Sequence, residues 1–596
     1  MFSIEQNSKQ NKITDTVFTQ DSTHMMPMSI KEVADAVNAS ELLCGSSASC
    51  DSAKSTDIVN FATSDSRNVA CGAVFIAIKG ERVDGHDFVQ KAAQLGAKAA
   101  IVEHAVLLDE SVQNKIAQIV VKNSVEALGL LAKHNLVRRR ALNTPFSIIG
   151  ITGSVGKTTT KDMLNALLST LGNTVAPVGS FNNEIGLPLT SLRVNEDTRF
   201  LIAEMGANHV GEIAMLTTIA PPDLSVVLKV GVAHLGEFGS VEKIAQAKSE
   251  IVRGLLPHGV AILNADDFRV AAMSKLADQD KVRWFGLNAD NNGNFDASNN
   301  GNYQLRAQDI SLDESGCAKF TIIESENSAT SENSATLHLA LPGAHNVMNA
   351  LAASNVARYF GMSLKNIALV LNKVSHISPH RMQISVICKD DKKFTLIDDS
   401  FNANPDSMKA GIDGLCSYES NDSSNSANSS NSDDSANSAN SADSAKSSST
   451  KLFRIAVLGS MLELGKDEYN MHESIGKYVA QKNIDAIISV GSSTSEKLDE
   501  LASCIAKGAR DNWQNNRNNI VNKYQNNNVD AKNNVYFVHD CIEANNIVWS
   551  LVGEHSSTVV LLKGSHASGL SVLAESWAKL SKSLNASLNK HTEVNL

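Results

Sequence analysis

Short apolar runs alternate along most of the chain with longer segments that carry apolar side chains at helical spacing. The run from Phe146 to Ile151, for example, predicts a buried strand, and the segment from Thr158 onward predicts a helix. This alternation is typical of α/β layers, so the pattern predicts an α/β fold of three domains. The predicted domains are residues 29–145, 146–375 and 376–596.

Polar, low-complexity stretches interrupt this pattern and contain too few apolar residues to offset the entropy of ordering. We predict a disordered extension over residues 1–28, followed by a helix that Ser29 caps, with Glu32 at capping-box spacing. A scaffold built around such segments is the weakest alternative for the whole chain. We predict solvated insertions at residues 288–302, 325–336, 420–450 and 510–534.

The composition is ordinary for a globular protein, because 42% of the 596 residues are hydrophobic and 20% are charged. A formal net charge of −11 argues against general binding to nucleic acid or to an anionic membrane. The eight cysteines form no Cys-x-x-Cys pair, we find no secretory segment, and no apolar run is long enough to span a bilayer. These features favour free thiols in a cytoplasmic protein, which we expect to be a monomer.

The segment GITGSVGKTTTKDML, residues 150–164, carries the first candidate chemistry. A strand, a glycine loop and a helix start present backbone N–H groups and the positive end of a helix dipole to an anion. Lys157 adds a charge suited to nucleotide phosphates, and the Thr158 hydroxyl is placed to ligate Mg²⁺. The spacing Gly-x-x-Gly-Lys-Thr departs from the common motif, which needs glycine at Ile151. A glycine turn without a ligand is the alternative, but the order of residue types favours a phosphate site.

Polar side chains also follow three other predicted strands of the central block. Glu204 ends one strand, His234 follows another, and Asn264 follows a third. Open parallel sheets bind ligands at the carboxyl ends of their strands, so we expect these side chains to lie near the phosphate loop. A carboxylate there is well placed to hold Mg²⁺. Taken singly, Glu204 would more often be a helix cap and His234 a structural histidine.

Three further positions are ambiguous from the residues alone. Lys248 lies on a helix predicted to begin after Ser240, where a lone lysine is usually a solvated surface charge. Asn346 and Asn349 lie at the start of an alanine-rich helix, where they could contact a nucleoside or serve as caps.

The order of the motifs along the chain resembles the Mur ligase family. These motifs are GITGSVGKTTTKDML, FNNEIGLPLT, AEMGANHVGEI, NADD, LPGAHNVMNALAA, DDSFNANPDSM, AVLGSMLELG and LLKGSHASGL. The resemblance covers nearly everything from Met28 to about residue 580, and the short phosphate loop is the family's own form. EMGANHVGEI and DDSFNANPDSM are similar to the members that add D-alanyl-D-alanine, whereas the Asp-Asn-Pro-Arg motif of the diaminopimelate-adding members is absent.

The resemblance implies a ligase that uses ATP and Mg²⁺ to add D-alanyl-D-alanine to UDP-N-acetylmuramoyl-tripeptide through an acyl phosphate, giving a pentapeptide precursor of peptidoglycan. It implies a small N-terminal α/β domain for the UDP substrate. A central parallel-sheet domain of the P-loop ATPase type and a C-terminal Rossmann-like α/β domain would follow.

The resemblance also implies a role for each candidate residue. The expected ATP site is Gly153, Ser154, Val155, Gly156, Lys157, Thr158, Thr159, Asn264, Asn346, Asn349, Arg381 and Asp399. The expected Mg²⁺ ligands are Thr158, Glu204, His234 and Lys248, the last as a carbamate. The expected catalytic residues are Lys157, Lys248, His234 and Arg381. The expected substrate contacts are Ser66, Arg67 and Lys79 at the UDP end, and Asn402, Asn404, Lys563 and Ser565 at the peptide end.

Two positions depart from the family pattern. His380 stands where relatives often carry glycine, and His566 stands where they usually carry arginine. Histidine, unlike arginine, is not fully charged at neutral pH, so the resemblance implies a weaker positive charge near the dipeptide carboxylate. The nearest alternative function is another ligase of the superfamily, such as the diaminopimelate-adding enzyme or folylpolyglutamate synthase. A regulatory ATP-binding module without ligation is an alternative of another class, but it would not need the NANP or KGSH segments.

Overall fold

The computed structural model describes residues 24–44, 55–287, 303–324, 333–375, 378–419, 452–521 and 534–593. The insertions predicted at residues 288–302 and 420–450 lie outside these ranges, as do residues 1–23 of the predicted extension.

The described ends of three polar stretches differ from the prediction. Met25 and Met28 are buried, and Met25 N donates to the Asn60 carbonyl at 2.7 Å. Residues 510–521 continue the helix Glu496–Val521, in which Trp513 is buried, and residues 333–336 begin a strand. At the first two ends, buried methionine and tryptophan side chains supply apolar area that orders the backbone beside them. At the third, residues 333–336 pair with the strand Cys317–Glu324.

Two compact units form, which are residues 1–146 with 188–198, and residues 147–187 with 199–596. Segment 188–198 belongs to the first unit because the Asn135 amide donates to the Ser191 carbonyl at 3.0 Å and to the Val194 carbonyl at 2.9 Å. The buried Arg139 guanidinium also donates to the Thr198 carbonyl at 2.6 Å. A unit break lies beside the predicted boundary at residue 146, whereas the return of residues 188–198 was not predicted.

The described strands of the first unit form a five-stranded sheet, in the order β2-β7-β6-β5-β4, and a separate pair, β1-β3. The strands are β1 Met28–Ser29, β2 Glu41–Cys44, β3 Ile58–Val59, β4 Phe61–Thr63, β5 Ala73–Ile76, β6 Ala99–Val102 and β7 Ala117–Val120. The helices are Ile30–Ala36, Val89–Gln94, Glu110–Gln113 and Ser124–Arg140. As predicted, the Ser29 side chain caps the first helix by accepting from Glu32 N.

The described strands of the central region form a nine-stranded sheet, in the order β16-β15-β14-β13-β12-β11-β8-β10-β9. They are β8 Ser147–Thr152, β9 Thr174–Val175, β10 Phe200–Glu204, β11 Leu224–Val227, β12 Val260–Asn264, β13 Val282–Gly286, β14 Tyr303–Leu312, β15 Cys317–Glu324 and β16 Asn333–Pro342. Strands β8 to β14 pair in parallel, and β15 and β16 add an antiparallel edge. The polar residues that follow β8, β10, β11 and β12 therefore share one edge, as predicted.

Helices cover this sheet and bury Met163, Leu167 and Leu351 against Ile149, Ile151 and other strand residues. These helices are Lys157–Leu168, Gly186–Ser191, Glu212–Ile219, Leu235–Phe238, Val241–Arg253, Phe268–Ala271, Asn346–Tyr359 and Leu364–Leu371.

The described C-terminal strands form a six-stranded sheet, in the order β17-β18-β22-β19-β20-β21, which is parallel except at β17. They are β17 Gln383–Lys389, β18 Lys392–Asp399, β19 Phe453–Gly459, β20 Ala486–Val490, β21 Val535–Val538 and β22 Thr558–Lys563. The helices are Pro405–Ser417, Glu468–Ala480, Glu496–Val521, Cys541–Glu554 and Leu570–Glu593. Ile455 and Val457 pack in one apolar cluster and Leu458 in another, because alternate strand residues face opposite sides of a sheet. The structure thus confirms the α/β fold class.

The prediction of free thiols is wrong for Cys44, which is disulfide-bonded. Among the residues that the structure describes, the free cysteines are Cys71, Cys317, Cys388, Cys416, Cys504 and Cys541. In the described ranges, no helix has both the length and the apolar character needed to cross a membrane.

Candidate functional site

The phosphate loop connects β8 to the helix Lys157–Leu168, which we call the phosphate-loop helix. Gly156 caps this helix with φ of 84°, a left-handed conformation that glycine adopts without steric cost. A Cβ atom at Gly156 would lie 2.4 Å from Asn349 Oδ1, so the loop also needs glycine for close packing. The predicted strand, loop and helix start are confirmed.

Lys157 points back over its own loop, with Nζ donating to the Gly153 carbonyl at 2.8 Å. Burial lowers the pKa of this ammonium, the Glu204 carboxylate opposes that shift, and the Arg381 guanidinium adds to it. Two cationic groups from different parts of the chain therefore lie near one carboxylate, which is an arrangement suited to a polyanion.

Glu204, at the end of β10, is fully buried beside the loop. Its Oε1 accepts from Asn182 Nδ2 at 2.9 Å and lies 3.4 Å from Thr158 Oγ1. Its Oε2 is buried without a hydrogen-bond partner. A buried, unpartnered carboxylate oxygen is costly, and a cation would remove that cost. Asn182 was not predicted as a site residue, although it lies in the motif FNNEIGLPLT.

These groups fit Mg²⁺, which usually takes one or two carboxylates together with substrate phosphates and water. In the part of the chain that the structure describes, no three His, Cys, Asp or Glu side chains cluster closely enough to hold a metal without such help. Thr158 and Glu204 are therefore the protein groups that the geometry favours as ligands.

Lys248 is 3% exposed, so the surface charge expected for a lone helical lysine is wrong. Burial lowers the pKa of its amine to about 7, with a smaller contribution from the positive charge of Lys157. A large share of this amine is thus neutral at neutral pH, and neutral amine is the form that can react with CO₂.

His234 follows β11 with φ of 57° and begins the short helix Leu235–Phe238. Its Nδ1 is hydrogen-bonded to the Glu463 carboxylate of the C-terminal region. Its predicted role as a Mg²⁺ ligand stays a prediction.

The asparagine side chains predicted to contact the nucleoside form hydrogen bonds with other residues of this chain. Asn264 Nδ2 donates to the Leu228 carbonyl at 2.7 Å, which ties the ends of β11 and β12 together. Asn349 Oδ1 accepts from Thr160 Oγ1 at 3.3 Å, and its Nδ2 donates to Asn346 Oδ1 at 2.9 Å. Neither asparagine is the N-cap of this helix. The N-cap position is His345, whose side chain makes no capping hydrogen bond. Asn349 instead packs the helix Asn346–Tyr359 against the phosphate loop.

Arg381, from the C-terminal region, reaches the phosphate loop. Its Nη2 lies 3.4 Å from Thr158 Oγ1, and its guanidinium lies 4.3 Å from the centre of the Phe401 ring. Its Nε is buried without a hydrogen-bond partner, so the guanidinium has unused capacity to bind an anion.

Lys563 was predicted to contact substrate, but its own chain already surrounds its ammonium. Nζ is 2.8 Å from Asp399 Oδ2 and donates to the Asn402 carbonyl at 2.8 Å. Burial lowers the pKa of Lys563, and Asp399 opposes that shift. Asp399, a predicted ATP contact, is thus one half of a buried ion pair that shapes the loop after β18.

The other side chains predicted to contact the peptide differ in whether they already have hydrogen-bond partners within the chain. Asn404 caps the helix Pro405–Ser417 in a capping box, and Asn402 Oδ1 accepts from Ala403 N at 2.8 Å. Ser565 Oγ is buried without a partner and remains available to a ligand. His566 Nδ1 lies 3.5 Å from Ser571 Oγ.

The predicted UDP contacts lie in the first unit. Arg67 is exposed and forms hydrogen bonds of 2.9 Å and 2.7 Å from Nε and Nη2 to its neighbour Asp65. Ser66 lies between these two residues, and exposed Lys79 pairs with Asp84 in an isolated β-bridge. Their roles stay predictions.

His380, beside Arg381, has φ of 61°, and its Nδ1 is 2.8 Å from Asp398 Oδ2. The Asp398 hydrogen bond raises the pKa of His380. Because the folded-state pKa lies above the unfolded value, this pair stabilises the fold below about pH 6.5 and the contribution is lost as pH rises through the folded pKa.

Substituting His380→Gly should therefore lower the melting temperature more at about pH 6 than at an alkaline pH above the folded-state pKa, where this contribution is lost. Glycine also relieves the left-handed backbone, which costs about 1–2 kcal/mol for other residues. Comparing His380→Ala with His380→Gly isolates that backbone contribution. An equal loss at both pH values would contradict the ion pair.

Known proteins resemble this chain in both sequence and fold. The description "Mur ligase middle domain" matches residues 151–357, and "Mur ligase family, catalytic domain" matches residues 58–135. UDP-N-acetylmuramoyl-tripeptide--D-alanyl-D-alanine ligase of Mycobacterium tuberculosis is 37% identical over 72% of this chain and 77% of its own length. The enzyme of that name from Bacillus subtilis is 34% identical over 77% of this chain and 84% of its own.

Among solved structures, MurF from Acinetobacter baumannii has a TM-score of 0.68 and 28% identity, covering 93% of this chain and 99% of its own. MurF ligase from Thermotoga maritima in complex with ADP has a TM-score of 0.61 and 24% identity, covering 87% and 98%, and so shares the fold. Together these similarities show that the chain belongs to the Mur ligase family.

Proposed function

We propose that this chain is an ATP-dependent ligase that joins D-alanyl-D-alanine to UDP-N-acetylmuramoyl-tripeptide, giving the UDP-N-acetylmuramoyl-pentapeptide precursor of peptidoglycan. One observation supports the ATP-dependent step above all. Lys157, Arg381 and the unpartnered Glu204 oxygen lie together at one phosphate loop. The two substrates are inferred from the names of relatives that are 32–37% identical to this chain.

The chemistry explains why an amide ligase needs a phosphate site. A carboxylate is a poor acyl donor, so its oxygen first attacks the γ-phosphorus of ATP, releasing ADP and forming an acyl phosphate. The amine of D-alanyl-D-alanine then attacks the acyl carbon and loses a proton, and the tetrahedral adduct collapses to the amide and inorganic phosphate. In the first step the protein mainly positions the reactants and neutralises charge.

Each group at the loop contributes to that step. The loop N–H groups and Lys157 bind the transferred phosphoryl group, and Arg381 adds its guanidinium from the C-terminal region. Thr158 and Glu204 would hold Mg²⁺, which supplies neutralising charge on the phosphate oxygens when it is bound. His234 and a carbamate on Lys248 are the further proposed ligands.

The acyl phosphate is the intermediate that tests this proposal. We expect enzyme, Mg-ATP and UDP-tripeptide, treated with borohydride, to yield an alcohol at the tripeptide's terminal carboxyl. Phosphate release should depend on D-alanyl-D-alanine, and diaminopimelate or glutamate should not replace it. Release without any amine, together with no alcohol, would favour a simple ATPase. Release driven by diaminopimelate would assign the neighbouring ligase instead.

A further inference from the structure

Ser378 begins the described C-terminal segment and is held by the phosphate-loop helix. The Asp162 carboxylate accepts hydrogen bonds from Ser378 N at 2.8 Å and from Ser378 Oγ at 3.3 Å. Lys161 Nζ donates to the same hydroxyl at 3.0 Å. Two consecutive helix residues therefore hold the backbone and the side chain of one residue that is 216 positions away from Asp162.

Lys161 is 2% exposed, and a buried ammonium is costly unless it is paired and hydrogen-bonded. It meets both conditions, since Nζ is 2.7 Å from Asp162 Oδ1 and donates to the carbonyls of Pro177 and Gly179 at 3.1 Å each. Both partners that hold Ser378 are thus themselves fixed. None of the roles assigned above uses Lys161 or Asp162.

The same helix also receives Arg381, three residues after Ser378. Thr158, which Arg381 contacts, and Asp162, which holds Ser378, are four residues apart, so they lie on one face of the helix about 6 Å apart along its axis. Three residues of chain span at most about 10 Å. The segment from Ser378 to Arg381 is thus attached to one turn of this helix at both ends, through Ser378 to Asp162 and through the Arg381 side chain to Thr158.

We propose that Lys161, Asp162 and Ser378 form an anchor that positions Arg381 over the phosphate loop. Arginine has a long, flexible side chain, and fixing its backbone start limits where the guanidinium can reach. The Phe401 ring at 4.3 Å then supports the guanidinium plane. These are positioning residues, since the anchor acts through Arg381, and the inference rests on the proposed ligase function.

A double-mutant cycle between Asp162→Ala and Arg381→Ala tests the anchor, with kcat, KM for ATP and the binding of a fluorescent ATP analogue as readouts. Residues that orient a functional side chain typically contribute 10- to 100-fold, so we expect Asp162→Ala to lower kcat by about that factor. In the Arg381→Ala background, the same change should lower kcat no further than about twofold, because the group it positions is gone. Ser378→Ala keeps the backbone hydrogen bond to Asp162 and should lose less.

The control is Glu324→Gln, which weakens a partly buried ion pair to Arg358 within the central region, at 2.7 Å. It should lower the melting temperature, and its effect on kcat should multiply with that of Arg381→Ala. Should Asp162→Ala fail to fold, the cycle is run with Asp162→Asn, which removes the charge that pairs with Lys161. It should lower kcat less than the alanine variant would, and that loss should also disappear in the Arg381→Ala background.

Two outcomes would overturn the anchor. One is that the losses of kcat from the Asp162 and Arg381 substitutions multiply in the double variant, and the other is that Asp162→Ala leaves kcat unchanged. If the wild-type enzyme releases no phosphate in response to D-alanyl-D-alanine, the proposed function fails. In that case the double-mutant cycle is read from the affinity for the fluorescent ATP analogue. Losses of affinity that do not add between the Asp162 and Arg381 substitutions still support the anchor, and losses that add refute it.

Discussion

Replacing Lys157 by alanine should lower kcat by about 10²–10³-fold, because it removes a charge aimed at oxygens that become more negative in the transition state. That loss corresponds to roughly 3–4 kcal/mol of transition-state stabilisation. The structure adds a reason for a large effect: Lys157 already lies against the Gly153 carbonyl, so little reorganisation is needed when phosphate binds. Steady-state phosphate release with saturating substrates measures it.

The folded state should survive this substitution, since burial lowers the pKa of Lys157 and the ammonium is held there at a cost. Lys365→Ala, which removes an exposed lysine from another helix of the same region, is the control for loss of charge alone. Near-normal kcat in the Lys157 variant, with Lys365→Ala also normal, would remove Lys157 from the catalytic site.

Lys248→Ala should also lower kcat, by at least about 100-fold, because losing a residue that only supports a metal ligand already costs up to about that factor. The proposed reason is that Lys248 acts as a carbamate, an oxygen ligand for Mg²⁺. Burial and a pKa of about 7 favour the neutral amine, which is the form that attacks CO₂. Formate, acetate or propionate should then partly restore activity by supplying the missing oxygen atoms.

Lys243→Ala is the matched control, because Lys243 is exposed on the same helix, Val241–Arg253. We expect it to be fully active and unaffected by carboxylates. A carbamate carbon signal from ¹³CO₂-treated enzyme, lost in Lys248→Ala and kept in Lys243→Ala, reports the modification without turnover. An active Lys248→Ala enzyme, or an inactive one with no rescue and no lost signal, would refute the carbamate.

Local features of the site were predictable from the sequence, because they depend on neighbours in the chain. Apolar runs predicted β8 and β10, residue types in order predicted the loop that Gly156 closes, and Ser29 predicted its cap. The resemblance to a family then named Arg381 as a phosphate contact, which composition and spacing alone did not suggest.

Burial was the first property that only the tertiary structure decided. Lys248 has the sequence context of a surface lysine, and it is buried because sheet and helices close around one face of its helix. Lys563 likewise resembles a free ligand group in sequence, yet its ammonium is occupied by Asp399 and Asn402.

The sequence by itself determined the α/β class, the cap at Ser29 and the strand, loop and helix of the phosphate site, since each follows from periodicity and residue types over a few positions. Only the tertiary structure decided that Asn182 holds Glu204, that residues 188–198 pack with the first unit, and that Asp162 holds Ser378. These contacts join residues from 22 to 216 positions apart. Their partners are set by how whole elements pack, and a local pattern carries no information about which distant residue will arrive there.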